Sequence, residues 1–252
     1  MRKICLFAML LLSLPVAGAR ADQATDLSIW AGYTSYAMGD INNFLQDSVG
    51  SNGSVTKVSN GFLIGADALF QVDGAPKLWL GPRVEYLSCN QGKASNGTTS
   101  VTEDQYLVPI LVGGKYRLMD NGSKFILDGK FFLGFGLGYA TTDVKSTAGG
   151  TATDTSVSYS GTGFVMELGL GSFYKISSNI DIDLDLGYRL ANLGSMGSGG
   201  YGGGGSSSTG NTGFTYAPGL QKASLMDPQT GSTVTYDFSG LMINLGATYH
   251  FK

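Results

Sequence analysis

The stretch Ile180–Leu190 reads Ile-Asp-Ile-Asp-Leu-Asp-Leu-Gly-Tyr-Arg-Leu, so aliphatic and polar side chains exchange at every position. A period of two is the mark of a β-strand, whose successive side chains point to opposite faces. Seven further segments alternate or nearly alternate: Leu27–Met38, Gly61–Val72, Lys77–Cys89, Gln105–Leu118, Lys124–Ala140, Thr162–Lys175 and Gly240–Phe251. With Ile180–Leu193 they make eight predicted strands, each long enough for the roughly 9–11 residues of a membrane-spanning β-strand. The three aspartates also match the opening of a calcium loop. That pattern fails where Leu186 replaces the turn glycine and Asn192 the bidentate glutamate.

The connections sharpen the picture. "DGAP", "MDNGS" and "ISSN" are tight turns, rich in residues that adopt turn conformations. The other four connections, Gly39–Asn60, Asn90–Asp104, Thr141–Gly161 and Gly194–Ser239, are long and polar. Short and long alternate without exception. A transmembrane barrel with short periplasmic turns and long extracellular loops has this layout, whereas a soluble sandwich has no reason to gather every long loop at one end.

Next come the faces. In the fifth segment Phe125, Leu127, Phe131, Leu133, Phe135, Leu137 and Tyr139 share one phase, and Lys124, Asp128, Lys130, Gly134, Gly136 and Gly138 the other. A soluble lipocalin-like barrel would alternate as well, with its faces inverted. The glycines argue against it. They gather on the polar phase, where a water-facing glycine costs backbone entropy to no purpose, but where a narrow eight-stranded interior needs small residues beside long charged ones. Aromatics also gather near both ends of the apolar phase: Tyr86, Tyr106, Tyr139, Phe164 and Tyr188 toward the long loops, and Phe70, Tyr116, Phe125, Tyr174, Tyr249 and Phe251 toward the short turns. Two such girdles are expected at bilayer interfaces.

Composition narrows the class. The N-terminus carries Arg2 and Lys3, an apolar run over Ile4–Val16 and a small-x-small site at Ala19–Ala21. This predicts a secretory signal peptide over residues 1–21 and a barrel domain over 22–252. The apolar run is too short to span a bilayer as a helix. One cysteine, Cys89, remains after cleavage, which excludes an intrachain disulfide. The 19 acids of the whole chain then face 13 bases, a formal charge of −6 that does not point to nucleic acid.

The last segment closes with Asn244, Gly246, Tyr249 and Phe251 at the spacing polar-x-Gly-x-x-hydrophobic-x-aromatic. This resembles the C-terminal signal by which the barrel-assembly machinery recognises bacterial outer-membrane proteins. The family usually stops at the aromatic, and this chain adds Lys252. The chain as a whole is similar to the small OmpA/OmpX/OmpW-like transmembrane barrels. The resemblance implies an all-β fold, an eight-stranded antiparallel up-and-down barrel exported to the outer membrane of a Gram-negative bacterium. It also implies contact with outer-membrane lipid and lipopolysaccharide, and a monomer.

The inward phase predicts a lumen network of Asp67, Arg83, Glu85, Lys115, Arg117, Asp128, Lys130, Glu167, Lys175, Asp181, Asp183, Asp185 and Arg189. Buried charges persist when paired, so these residues predict a salt-bridge network that fills the lumen and blocks the barrel in its periplasmic half. Toward the outside the inward phase is rich in glycine, which leaves two readings open. One is a small vestibule. The other is ordinary packing by Trp30, Tyr36, Phe132 and Leu87.

Candidate chemistry is sparse, and the expectation is a non-enzyme without cofactor or metal. The single histidine, His250, falls at the periplasmic end, a membrane thickness from the lipid A that barrel enzymes modify, and a general base must lie within hydrogen-bond reach of its proton. The paired Asp and Asp-His rim sites of an omptin-type protease are not visible. "GFGLG" lacks the strand-turn-helix setting of a nucleotide loop. The predicted role is therefore structural or interactive, adhesion or defence through the extracellular loops toward an extracellular ligand or host surface. A narrow porin-like channel for small or apolar solutes is the alternative.

Overall fold

The computed structural model describes residues 24–120, 124–148, 151–198, 225–227, 229 and 231–251. The expected signal peptide and most of the Gly/Ser tract of the last loop lie outside them. Eight antiparallel strands close into a ring: β1 (Thr25–Ser35), β3 (Asn60–Val72), β4 (Ala75–Cys89), β6 (Thr99–Asp120), β7 (Phe125–Ala148), β8 (Thr151–Lys175), β9 (Ile180–Ser195) and β12 (Gly240–Phe251), which pairs with β1 again. No helix among the described residues is long and apolar enough to cross a membrane; the barrel crosses with strands.

The alternation reads out as two faces. Ile180, Ile182, Leu184 and Leu186 are 39–54% exposed, while Asp181, Asp183 and Asp185 between them are at most 8% exposed. The same holds around the ring, where Leu133, Phe135, Leu168, Ile243 and Leu245 point out and Arg83, Glu85, Lys115, Asp128 and Arg189 point in. An apolar outside and an ionic inside invert a soluble protein and fit a bilayer as solvent. Where Asp73-Gly74 joins β3 to β4, Gly74 adopts φ 76°, the left-handed conformation that glycine reaches without steric cost.

Three expectations need correction. β1 begins at Thr25, so Asp26 belongs to the wall. The loop Gly39–Asn60 carries an α-helix, α1 (Gly39–Val49), and a short strand, β2 (Ser54–Thr56). Ile41, Phe44, Leu45 and Val49 lie on the buried face of α1, at helical spacing. Third, the connections Asn90–Asp104 and Thr141–Gly161 are largely strand. β6, β7 and β8 run on beyond the outer girdle, and β5 (Gly92–Ser95) and β2 add to them, making a sheet in the order β2–β5–β6–β7–β8. The apolar period ends there because both sheet faces leave the lipid.

In the outer half of the lumen, the second of the two open readings holds. That half is filled, by Trp30, Leu87, Leu107, Phe132, Val165 and Leu193 among others. The inward glycines hold room for these side chains. A Cβ on Gly136 would meet Leu107 at 2.7 Å and Val165 at 2.9 Å, and one on Gly138 would meet Leu193 at 2.1 Å. Packing, not an open vestibule, explains the glycine rows.

Above this layer α1 lies over the mouth, beside β5 and a returning segment that includes β11 (Thr235–Asp237), while β10 (Gly197–Ser198) pairs with β8. Leu225, Val234, Tyr236 and Phe238 of that segment are buried, and Tyr36 meets Phe238 edge-on with ring centroids 5.9 Å apart. Asn42 of α1 exchanges hydrogen bonds with the backbone of Val58, at 2.8 and 2.9 Å.

Candidate functional site

The lumen charges form two groups. In the middle, Arg83 reaches Asp67 at 2.7 Å and Glu167 at 3.3 Å, with Glu85 at 3.9 Å. Arg189 donates from Nε to Glu167 at 2.6 Å and from Nη2 to Glu85. All five side chains are at most 4% exposed. Two guanidinium forks on carboxylates give the directional, charge-assisted bonding that a buried ion set needs. Arg83 also lies flat against apolar packing, 3.6 Å from the Phe132 ring centroid and 4.5 Å from that of Trp30.

Nearer the periplasm, Lys115 holds Asp26 at 2.7 Å and approaches Asp128 at 3.9 Å. Arg117 bridges Asp128 and Asp120 at 3.4 and 3.5 Å, and Lys175 reaches Asp120 at 3.8 Å from a half-exposed position at the rim. Lys130 pairs with Asp185 at 2.7 Å. Trp79 and Phe173 back this group, with Lys115 and Lys130 4.7 and 4.8 Å from the Phe173 centroid.

Two of the predicted carboxylates have partners other than Lys or Arg. Asp183 accepts from Thr248 at 2.5 Å, and Thr248 shares a 2.8 Å hydrogen bond with Ser28. Asp181 faces His250, whose Nε2 lies 2.9 Å away while its Nδ1 lies 2.6 Å from Asp26. A carboxylate on each ring nitrogen requires a proton on both, so the geometry holds an imidazolium. Asp26 was missed because the alternation of β1 was read only from Leu27. Asp26 and His250 are registered partners where β1 meets β12, the seam that closes the barrel.

Of the C-terminal signal residues, Tyr249 and Phe251 point outward and stack edge-on at 4.7 Å. Asn244 points into the lumen, and Gly246 faces Trp30. Among the cavities that the described residues enclose, one beside Arg83, Glu167, Asp185 and Asn244 has about 20 Å³, room for one water molecule. No cluster of three or more metal-ligating side chains occurs among the described residues.

A further polar contact lies beyond the outer girdle. Tyr106 and Tyr139 stack at 4.8 Å and mark the outer interface. Three residues further up β6, Glu103 turns inward and is wholly buried. It accepts hydrogen bonds from Tyr236 of β11, at 3.1 Å, and from Thr142 of β7. Burial pushes its carboxyl up to about 8, against the opposing effect of the two hydroxyl donors. The same burial, together with Glu103, raises the Tyr236 phenol well above its ordinary value. Sequence reasoning left Glu103 in a loop.

The model of the outer membrane protein beta-barrel domain family matches residues 6–202. No curated protein matches the sequence. Among solved structures the chain is similar to Neisserial surface protein A, with 12% identity, a TM-score of 0.41 and coverage of 90% of this chain and 97% of that one. It is similar to Ail, the attachment invasion locus protein of Yersinia pestis, with 13% identity, a TM-score of 0.38 and coverage of 91% and 99%. It is also similar to a major outer membrane protein of Thermus thermophilus, with 16% identity, a TM-score of 0.47 and coverage of 90% and 99%.

Proposed function

We propose, from the premise that the chain belongs to the outer membrane protein beta-barrel domain family, that it is a non-conducting, monomeric surface barrel acting through its extracellular part in adhesion or defence. One observation carries this reading: the lumen is filled while the outside is built up. The mid-barrel ion set joins strands on opposite sides of the ring, and an apolar layer covers it. Above both stands a sheet of five strands, braced by α1 and β11. A permeation role does not call for such an extension, whereas presentation of a surface to a partner does.

The reading assigns no catalysis. His250 is held between two carboxylates at the periplasmic rim, with no nucleophile on it. Lipid A mass spectra of cells with and without the protein are expected to be the same.

The test has two arms. Purified barrel in planar bilayers is expected to give no steady single-channel conductance. Cells displaying the protein are expected to bind a host-cell or matrix-coated surface, and to lose that binding when residues 143–154 of the β7–β8 hairpin are replaced by a short turn. Steady conductance would favour the narrow channel for small or apolar solutes.

A further inference from the structure

We propose that the bilayer-facing wall carries a seat for one acyl chain of an anionic phospholipid in the periplasmic leaflet. The inference rests on the barrel crossing the bilayer and not on the role of its loops.

The seat comes from two missing side chains. Residues paired across neighbouring strands share a face. Leu80, Gly114, Phe131 and Leu168 form one such row, and Tyr116, Gly129, Leu170 and Leu186 the next. All six non-glycine members are 42–54% exposed to the bilayer. Gly114 and Gly129 leave the middle of both rows bare, and the result is an apolar groove of about 620 Å³ on the outer wall. Elsewhere on this wall the outward positions keep at least a Cβ, as at Ala31, Ala66, Ala68 and Ala247. A Cβ on Gly114 would lie 1.8 Å from the Trp79 carbonyl oxygen, so that glycine is required by close strand approach. At Gly129 the nearest atom to a Cβ is Leu118 Cδ1, at 3.6 Å, an ordinary contact. Backbone packing therefore does not demand glycine there, and the open space is left to be filled from outside.

Charge says what fills it. Following β7 from Gly129 to the rim reaches Lys124 in five residues, about 17 Å along the strand. Strand tilt brings this close to the ~15 Å hydrocarbon depth of one leaflet. The Lys124 ammonium stands 5.8 Å from the centroid of Tyr174, an outward ring of the periplasmic girdle. Lys77, also exposed, directly precedes Leu78 at the groove edge. The rim acid Asp120 is occupied by Arg117 and Lys175. Neither Lys77 nor Lys124 has an ion pair among the described residues. Two ammonium groups below an acyl-sized groove match a phosphate headgroup with its chain lying upward. A second copy of this chain would bring two more lysines to the same rim, against its own charge.

The test is native mass spectrometry of the mature barrel in mild detergent, titrated with phosphatidylglycerol or phosphatidylcholine of equal chain length. Wild type is expected to retain phosphatidylglycerol at least about tenfold better. Gly129→Leu is expected to remove most of the bound lipid of both kinds while leaving the barrel's resistance to heat in dodecyl sulfate unchanged. Lys77→Gln with Lys124→Gln is expected to abolish the headgroup preference, roughly fivefold per lysine, and to keep residual binding. Equal retention of the two lipids by wild type, or retention unaffected by Gly129→Leu, overturns the proposal. So does a dimer that Gly129→Leu dissolves, which would make the groove a contact between copies.

Discussion

Arg189 and Glu85 are bonded across the full width of the lumen: β9 and β4 stand four strands apart whichever way the ring is counted. Both side chains are wholly buried. Replacing Arg189 alone leaves the buried Glu85 with only the 3.9 Å contact to Arg83. Arg189→Met is expected to destabilise the barrel by about 3–5 kcal/mol, the cost of an orphaned buried charge. Arg189→Met with Glu85→Met should recover much of that loss, since Glu167 keeps Arg83. Urea unfolding in lipid vesicles, followed by the fluorescence of Trp30 and Trp79, measures both. Equal stability of the single and double variants would contradict the assignment.

The seam makes a second prediction. His250 ties β12 to β1 through Asp26 and to β9 through Asp181. His250→Ala removes two charge-assisted hydrogen bonds and leaves two carboxylates facing each other. The expected loss is about 2 kcal/mol, discounted for the partial exposure of the ring. It should show as a lower temperature for the mobility shift of the folded band in dodecyl sulfate gels. His250→Lys, which restores a cation, should recover part of it.

Both predictions depend on orientation, which can be read directly. Spin labels at Leu133 and Leu184, 38% and 47% exposed, are expected to be accessible to oxygen and shielded from a water-soluble nickel chelate. A label at Lys145, at the exposed end of the β7 extension, should show the reverse. Nickel access at Leu184 would turn the barrel inside out.

How much of this was legible in advance follows the solvent. Within the bilayer one face of each strand meets hydrocarbon and the other a tight ionic lumen, so period two is strong and the eight strands could be read with small end errors. Charged residues such as Arg83, Glu85, Lys115, Asp128 and Arg189 are buried and Lys175 stands half-exposed at the rim, but the pairing of these charges was not legible. Neighbours such as Arg83 and Glu167 come together through closure of the ring, which no local pattern encodes. Above the girdle both faces of the β6–β7–β8 extension leave the lipid. Thr, Ser and Asp then occupy both phases, and the strands read as loops. α1 was missed for a related reason: Asn42, Asn43, Asp47 and Ser48 dilute its apolar spacing, and only the mouth beneath gives Ile41, Phe44 and Leu45 a surface to cover.

The last prediction concerns that cap and its pH dependence. Glu103 has a folded-state pKa of about 8 against an ordinary 4.5, raised by burial. Between these values the folded state holds a proton that the opened state releases, so stability falls as pH rises. The packing around Glu103 is at full strength below about pH 4.5 and weakens through the window up to about 8. Above it the carboxylate is charged in both states and the loss is constant. The segment that pays this penalty includes β11, since Tyr236 donates to Glu103. The amide of Phe238, bonded to the Ala191 carbonyl at 2.9 Å, reports its opening. Protection of that amide from hydrogen exchange, corrected for intrinsic rates, is expected to fall between pH 5 and 9 in wild type. In Glu103→Gln, which keeps the shape and an acceptor but cannot ionise, protection should be flat across the range and higher than wild type at pH 9. A rise with pH in wild type, or the same slope in both proteins, would remove Glu103 as the group that couples the cap to protons.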